Sequence, residues 1–403
     1  MIPPSRAPGT ALRGRYLVQN RAWNTALQLT DAVLARVAHA THASIVAPPR
    51  RILVAVGGQL GDAVIATGVL PVLAGLFPSA ELGMLLPSWS RAVVTGHPLL
   101  ARTHHADHWK LSRTPAGRLR KWSAYRTSAA AAVRELRAEN YDVAIDLYAY
   151  YPNSSWLLWR AGIPVRVGYT SGGCGPLYTR AIDWSASLGH TARQHLRLVH
   201  EIAPAHTATR IAESAPRYDL PPLQELAIAR ARELVGGRYV VVHPGTGDPK
   251  KAWPLEQWRA LIARLAQRGD RVVLTGAGDR ERSVADTLVH SGANVLNLVG
   301  ALDWPTFRVV LANAAAAIGP DSVAMHVAAA EGTPAVVLMA AISDPAQWRP
   351  LGDRVAALTH AVPCAPCFRK DGCAEMTCVR EVSVDETLAA LDELLGIGEA
   401  TSA

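Results

Sequence analysis

No uninterrupted apolar stretch in this chain approaches the roughly 20 residues that span a bilayer, so no transmembrane helix is expected. Its N-terminus carries Arg6, Arg13 and Arg15 but no apolar core followed by a small-residue cleavage site. A secretory signal is therefore not expected, and the anticipated location is cytoplasmic. Charge is sparse, with 18% of residues charged against 49% apolar, which excludes a disordered chain because enough apolar surface exists to offset chain entropy. No short-period repeat is present, so a solenoid is not expected. There is no nucleic-acid-binding module signature, and no nucleic-acid partner is expected. Neither G-x-G-x-x-G nor a G-K-[ST] ending follows a strand candidate, which argues against a nicotinamide dehydrogenase and against P-loop hydrolysis.

What remains is a chain of 403 residues, long enough for two domains, with a formal charge of +8 that is unevenly spread. Residues 1–50 hold six arginines against the single Asp31. Lys110 to Arg126 also contains Arg113, Arg118, Arg120 and Lys121 and no acid, with Trp109, Trp122 and Tyr125 in or beside it. Basic stretches with interleaved aromatics suit a polyanion or an anionic membrane surface, and equally a solvated helix face.

Residues 1–50 read as a basic helical arm, with a helix expected over 15–38 and ended by Ala-Pro-Pro-Arg at 47–50. From Arg51 strand and helix alternate. Strands are expected at 51–56, 81–86 and 142–147, with a helix over 63–76; residues 150–220 have no clear pattern. A second strand-first series begins at Tyr239, with strands at 239–243, 271–275, 295–298, 315–318 and 335–339. Helices are expected over 255–268 and from about 280 to 290, and a closing helix over 385–395. The expected organisation is an α/β fold with parallel sheets: a first Rossmann-like domain over 51–220, a Pro-rich junction, a second over 238–385, and a helix and tail over 386–403.

In open parallel sheets ligands sit beyond the carboxyl ends of the strands, and three stretches have that placement. Gly57–Asp62 follows the first strand; its glycines admit a close ligand, and Asp62 serves either as an N-cap or as a general base. His243-Pro-Gly-Thr246-Gly-Asp-Pro-Lys-Lys251 offers loop N–H groups and lysine charge to diphosphate oxygens. Gly319-Pro-Asp321-Ser322-Val-Ala-Met325-His326 places a cap and free helix N–H groups where a phosphate binds; a lone histidine at that spacing is more often structural.

Taken in order, Gly61-Asp62, His243-Pro-Gly…Lys251-x-Trp253-Pro254 and Asp321-Ser-x-x-Met-His326 followed by Gly332-Thr-Pro334 resemble the signature set of glycosyltransferase family 9, the lipopolysaccharide heptosyltransferases. Gly300, Asp344-Pro345 and the closing helix fall where the family places them, so the resemblance covers roughly 50–395. It implies a GT-B fold of two facing Rossmann-like domains. It also implies inverting transfer, without metal or cofactor, of a heptose from a nucleotide-sugar, ADP-heptose foremost, to a lipid-linked lipopolysaccharide core-type acceptor on the inner membrane. By position, Asp62 is the base on the acceptor hydroxyl and Lys251 the cation on the leaving diphosphate. Gly61, Thr246, Asp321, Ser322, Met325 and His326 contact substrate, and Glu281 is the ribose partner with Asp279 as competitor. Val323, Ala341-Ile342 and Ala252 depart from the family pattern and bear on which donor is bound.

Cys364, Cys367, Cys373 and Cys378 are spaced as structural zinc ligands or as reduced cytosolic thiols; the reading taken is no metal. A non-catalytic nucleotide-sugar-binding protein is the alternative function. An epimerase of the same fold would need a second acid near Asp62.

Overall fold

The computed structural model describes residues 16–18, 20–37, 47–204, 214–292, 294–342, 344–367, 373 and 375–397. Its contacts divide the chain between Pro221 and Pro222 into two compact units.

The first unit runs α1 (Arg21–Val37), β1 (Arg51–Ala55), α2 (Leu60–Ala66), α3 (Leu70–Leu76), β2 (Glu81–Leu86), α4 (Arg91–Val94), β3 (Leu100–His105), α5 (Arg118–Glu139), β4 (Val143–Asp146), α6 (Ser155–Ala161), β5 (Val165–Tyr169), β6 (Arg180–Ile182) and α7 (Thr191–His200). Its strands form one parallel sheet in the order β3-β2-β1-β4-β5-β6. Ile52, Leu53, Val54 and Ala55 are buried in succession rather than in alternation, the signature of a strand covered on both faces. The helix expected over 63–76 is interrupted by a 3-10 turn at Thr67–Val69. A Cβ at Gly68 would stand 2.0 Å from the Arg217 carbonyl oxygen, and Pro71 at the start of α3 has no N–H to continue the ladder. Tyr16 and α1 are tied to the loop after β5. The Tyr16 hydroxyl and the Cys174 N–H both donate to the buried Asp31, at 2.8 and 2.7 Å, and Leu27 packs on Gly173.

The second unit runs α8 (Glu225–Leu234), β7 (Val240–Val242), α9 (Leu255–Gln267), β8 (Val272–Leu274), α10 (Asp279–Leu288), β9 (Val295–Asn297), α11 (Trp304–Ala312), β10 (Ala316–Pro320), α12 (Val323–Ala330), β11 (Ala335–Leu338), α13 (Pro345–Trp348), β12 (Val355–Leu358), α14 (Thr377–Arg380) and α15 (Val384–Leu395). The sheet is again all parallel, in the order β12-β11-β10-β7-β8-β9. Trp258, Leu261, Ile262 and Leu265 give α9 a buried stripe at helical spacing, and the Trp253 indole N–H donates to the Val382 carbonyl at 2.9 Å.

Counted from its own first strand, each sheet has the order 3-2-1-4-5-6, the doubly wound arrangement. Strand order reverses between β1 and β4 in the first unit and between β7 and β10 in the second. Those two switch points are where a ligand finds a crevice and inward-pointing helix starts.

Candidate functional site

At the first switch point β1 ends and Val56-Gly57-Gly58-Gln59 turns into α2. Asp62 is not the cap; it is the third helical residue, and its carboxylate accepts the Gln59 N–H at 2.7 Å. That reach-back requires an absent side chain at Gly58. The residue has φ +99°, and a Cβ there would lie 2.4 Å from Asp62 Oδ2. A Cβ on Gly57 would stand 2.9 Å from the Tyr148 ring. Tyr148 follows β4, and burial first, then the Asp62 charge, pushes its phenol well above the ordinary range. Gly61 and Asp62 themselves are partly exposed.

Asp146, the last residue of β4, is a feature that reading the sequence missed. It is fully buried and accepts from the Ser154 N–H at 2.7 Å, the Tyr178 hydroxyl at 2.9 Å and the Tyr148 N–H at 3.2 Å. Burial raises its carboxyl to about 7 despite these donors. A recess of about 350 Å³, open solvent included, lies beyond β1 and β2, bordered by Gly57, Leu86, His108, Tyr125, Pro152 and Asn153. Burial and then the Lys110 charge lower His108 to about 4, so its imidazole is neutral at pH 7.

At the second switch point His243 directly follows β7 and is buried, its Nδ1 3.0 Å from the Thr275 hydroxyl. Burial lowers it to about 4, so it is a neutral imidazole held for structure. Thr246 is partly exposed in the following loop, and its hydroxyl accepts the Asp248 N–H at 3.4 Å. Lys251 ends the 3-10 turn Pro249–Lys251, and its ammonium stands 2.5 Å from Asp321 Oδ2. The ion pair joins the loop after β7 to the end of β10, 70 residues on, and His326 Nε2 lies 3.9 Å from the other carboxylate oxygen of Asp321. Ser322 is the cap residue of α12, yet its hydroxyl makes no cap bond and is, among the described residues, a buried oxygen without a hydrogen-bond partner. Met325 has no exposed surface and packs beneath Gly319.

Glu281 reaches over two glycines of this unit. A Cβ on Gly245 would stand 2.2 Å from its carboxyl carbon, and one on Gly276 2.5 Å from Oε2, which accepts the Ala277 N–H at 2.8 Å. Burial raises its carboxyl. Asp279 is fully exposed and 3.7 Å from Arg282. The second unit thus brings Lys251, Asp321, Ser322 and His326 together, with Thr246 on the loop after β7 and Glu281 in the first turn of α10.

The described residues contain no group of three or more His, Cys, Asp or Glu arranged to hold a metal ion, and all five cysteines are free. The Cys367 N–H donates to the Ala341 carbonyl at 2.9 Å, and the Cys373 sulfur accepts the Met376 N–H at 3.3 Å.

A family profile described as glycosyltransferase family 9 (heptosyltransferase) matches residues 129–377, more than half of the chain. The chain belongs to this family. Lipopolysaccharide heptosyltransferase 3 of Escherichia coli (strain K12) is 26% identical over 308 residues, covering 73% of this chain and 83% of that protein. The structure of E. coli ADP-heptose lps heptosyltransferase II superposes with a TM-score of 0.68 at 19% identity, covering 87% of this chain and all of that one. That of E. coli heptosyltransferase WaaC with ADP-2-deoxy-2-fluoro heptose gives 0.63 at 19% identity, over 85% of this chain and 99% of that one. The paired Rossmann-like sheets of this family-9 glycosyltransferase are those of the GT-B fold. No helix among its described residues is long and apolar enough to cross a membrane.

Proposed function

We propose that this glycosyltransferase moves a heptose from ADP-heptose to a lipid-linked, lipopolysaccharide core-type saccharide presented at the cytoplasmic face of an anionic membrane, with inversion and without a metal. The observation that carries the reading is the Lys251–Asp321 pair beside the unpartnered Ser322 hydroxyl, at the switch point of a family-9 nucleotide-binding-type sheet. Two relatives support the donor: one is named for ADP-heptose, and one binds an ADP-heptose analogue.

The residues take complementary roles. In the first unit, the Asp62 carboxylate takes the proton of the acceptor hydroxyl, whose oxygen forms the new bond to the anomeric carbon. The bond from that carbon to the diphosphate oxygen breaks on the opposite side, and ADP leaves with its electron pair. In the second unit, Lys251 neutralises the charge that grows on the departing diphosphate, and the Ser322 hydroxyl and the N–H groups at the start of α12 donate to its oxygens. Asp321 holds Lys251 in place and, with Thr246 and His326, faces donor hydroxyl groups. Glu281 accepts from the ribose. Met325 acts from beneath, by fixing the end of β10. Gly61 keeps the entry to Asp62 open. This division makes residues 51–221 the acceptor side and 222–397 the donor side, with residues 16–37 an arm of the acceptor side.

Thermal shift against ADP-, UDP-, GDP- and CMP-sugars tests the donor, because a ligand that binds the native state raises the melting point by mass action. ADP-heptose alone should raise it. A larger rise with another nucleotide refutes the donor assignment, and a product with the donor's anomeric configuration refutes inversion.

A further inference from the structure

Helix α1 is built inside out. Its buried face holds the carboxylate Asp31 and Leu27, whereas Ala22, Ala26, Leu29 and Val33, spaced as one helical stripe, face outward. Leu29 and Val33 are 65% and 57% exposed among the described residues, and Trp23 near the helix start is 42% exposed. A second exposed apolar pair, Leu119 (84%) and Trp122 (47%), lies in the first turns of α5. Residues 108–110 touch both helices, at Trp23 of α1 and Tyr125 of α5. The Lys110 ammonium sits 3.2 Å from the Trp23 ring centroid and 4.7 Å from that of Tyr151, and the His108 ring lies 4.4 Å from that of Tyr125 of α5 at a tilt of 49°.

We propose that the outward face of α1 at Leu29 and Val33, together with Leu119 and Trp122 of α5, docks this protein on an anionic phospholipid bilayer. The charge around these side chains selects the occupant. Arg21 and Arg36 flank the stripe on α1, and Arg118, Arg120, Lys121 and Arg126 surround the α5 pair with no acid from Lys110 to Arg126. The one acid of α1, Asp31, is turned inward and held by Tyr16 and Cys174. Apolar side chains ringed by cations bind where headgroups are negative and acyl chains lie just beneath. A second copy would bring the same positive ring against itself, and a nucleic acid would leave Leu29 and Val33 in water. The recess beside Gly57 is bordered by His108 and Tyr125, so a bilayer on this face would bring lipid-linked molecules to the acceptor side. The inference deepens the lipid-linked acceptor reading and rests on it for its purpose, though not for its geometry.

The test is sedimentation of the full-length protein with vesicles of phosphatidylethanolamine and phosphatidylglycerol, or of phosphatidylcholine alone. The wild type should pellet with the anionic vesicles, release as salt rises, and bind the neutral ones weakly. Leu29→Glu/Val33→Glu and Leu119→Glu/Trp122→Glu should each weaken anionic-vesicle binding by about tenfold or more, because each places charge in the apolar layer. Leu226→Glu, which alters an 82%-exposed leucine of the second unit, should bind as wild type. If the α1 variant loses its near-ultraviolet dichroism, the α5 variant decides. Failure of the wild type to bind, equal binding to both vesicles, variants that pellet like wild type, or a dimer in light scattering that Leu29→Glu/Val33→Glu dissolves would overturn the proposal. Vesicle binding without heptosyl transfer would refute the functional reading and leave this surface standing.

Discussion

Replacing Gly58 by alanine should damage catalysis through the new methyl group, which would press on Asp62 and stand 2.9 Å from the Tyr148 ring. The glycine has φ +99°, where an L side chain is strained by about 1–3 kcal/mol. Its Cβ would also stand 2.4 Å from Asp62 Oδ2, inside any real carbon–oxygen contact, so the carboxylate must swing away and release the Gln59 N–H it holds at 2.7 Å. Losing that reciprocal bond at a helix start costs about another 1 kcal/mol. Gly162 is the matched control: it has φ +79°, lies in the same unit, and an added Cβ would meet nothing within 4 Å. Gly162→Ala should therefore lower stability by about 1–2 kcal/mol from backbone strain alone and leave transfer unchanged. Gly58→Ala should lose about 10- to 100-fold in kcat for heptosyl transfer, because a general base contributes about 100-fold or more only while it is positioned. Its ADP affinity should not move. Steady-state transfer, ADP calorimetry and urea unfolding of the two variants side by side read all of this. Gly58→Ala with wild-type kcat, or both variants losing activity equally, would refute the claim that Asp62 acts from the position Gly58 allows.

Lys251→Ala should weaken ADP binding by about 10- to 100-fold in calorimetry and lower kcat further, since it removes a charge-assisted contact and strands Asp321 in a buried place. Ser322→Ala should cost little stability in urea unfolding, because its hydroxyl is already unpartnered, yet raise KM for the donor a few-fold. The buried Asp146, raised to about 7 from an ordinary 3.8, stabilises the fold fully below pH 4 and loses that contribution as pH rises through about 7. At about 1.36 kcal/mol per pKa unit the effect is on the order of 4 kcal/mol. His108 and His195, lowered to about 4 and about 3, act in the opposite sense up to about pH 6.5, so the informative quantity is the wild-type minus Asp146→Asn difference in unfolding free energy, which should fall between pH 4 and 8.

The switch-point loops could be read from the sequence because glycine and proline mark them: Gly57-Gly58 after one apolar run and His243-Pro-Gly after another. Of the four strands outside the legible pattern, β5 is buried at every position yet interrupted by Arg166 and Gly168, and the other three follow tertiary context. β3 carries Arg102, His104 and His105 at a sheet edge, where three successive residues are exposed, and β6 and β12 are short and only partly buried. Asp146 went unnoticed because an aspartate ending Val-Ala-Ile-Asp reads as a strand boundary; its burial depends on Ser154 and Tyr178, 8 and 32 residues away. The pairing of Lys251 with Asp321 is equally invisible along the chain, since only adjacency of β7 and β10 brings the two loops together. The sequence locates Asp62 near a helix start, but that it accepts the Gln59 N–H from the third helical position, through the space Gly58 leaves, is a fact of backbone geometry rather than of composition.

The most direct test of the account is to follow ADP-heptose consumption with a lipid-linked core acceptor for wild type and Asp62→Asn, with ADP affinity measured on both. The predicted result is transfer by the wild type, a loss of about 100-fold or more in Asp62→Asn, and equal ADP binding. Transfer by Asp62→Asn at the wild-type rate would contradict it.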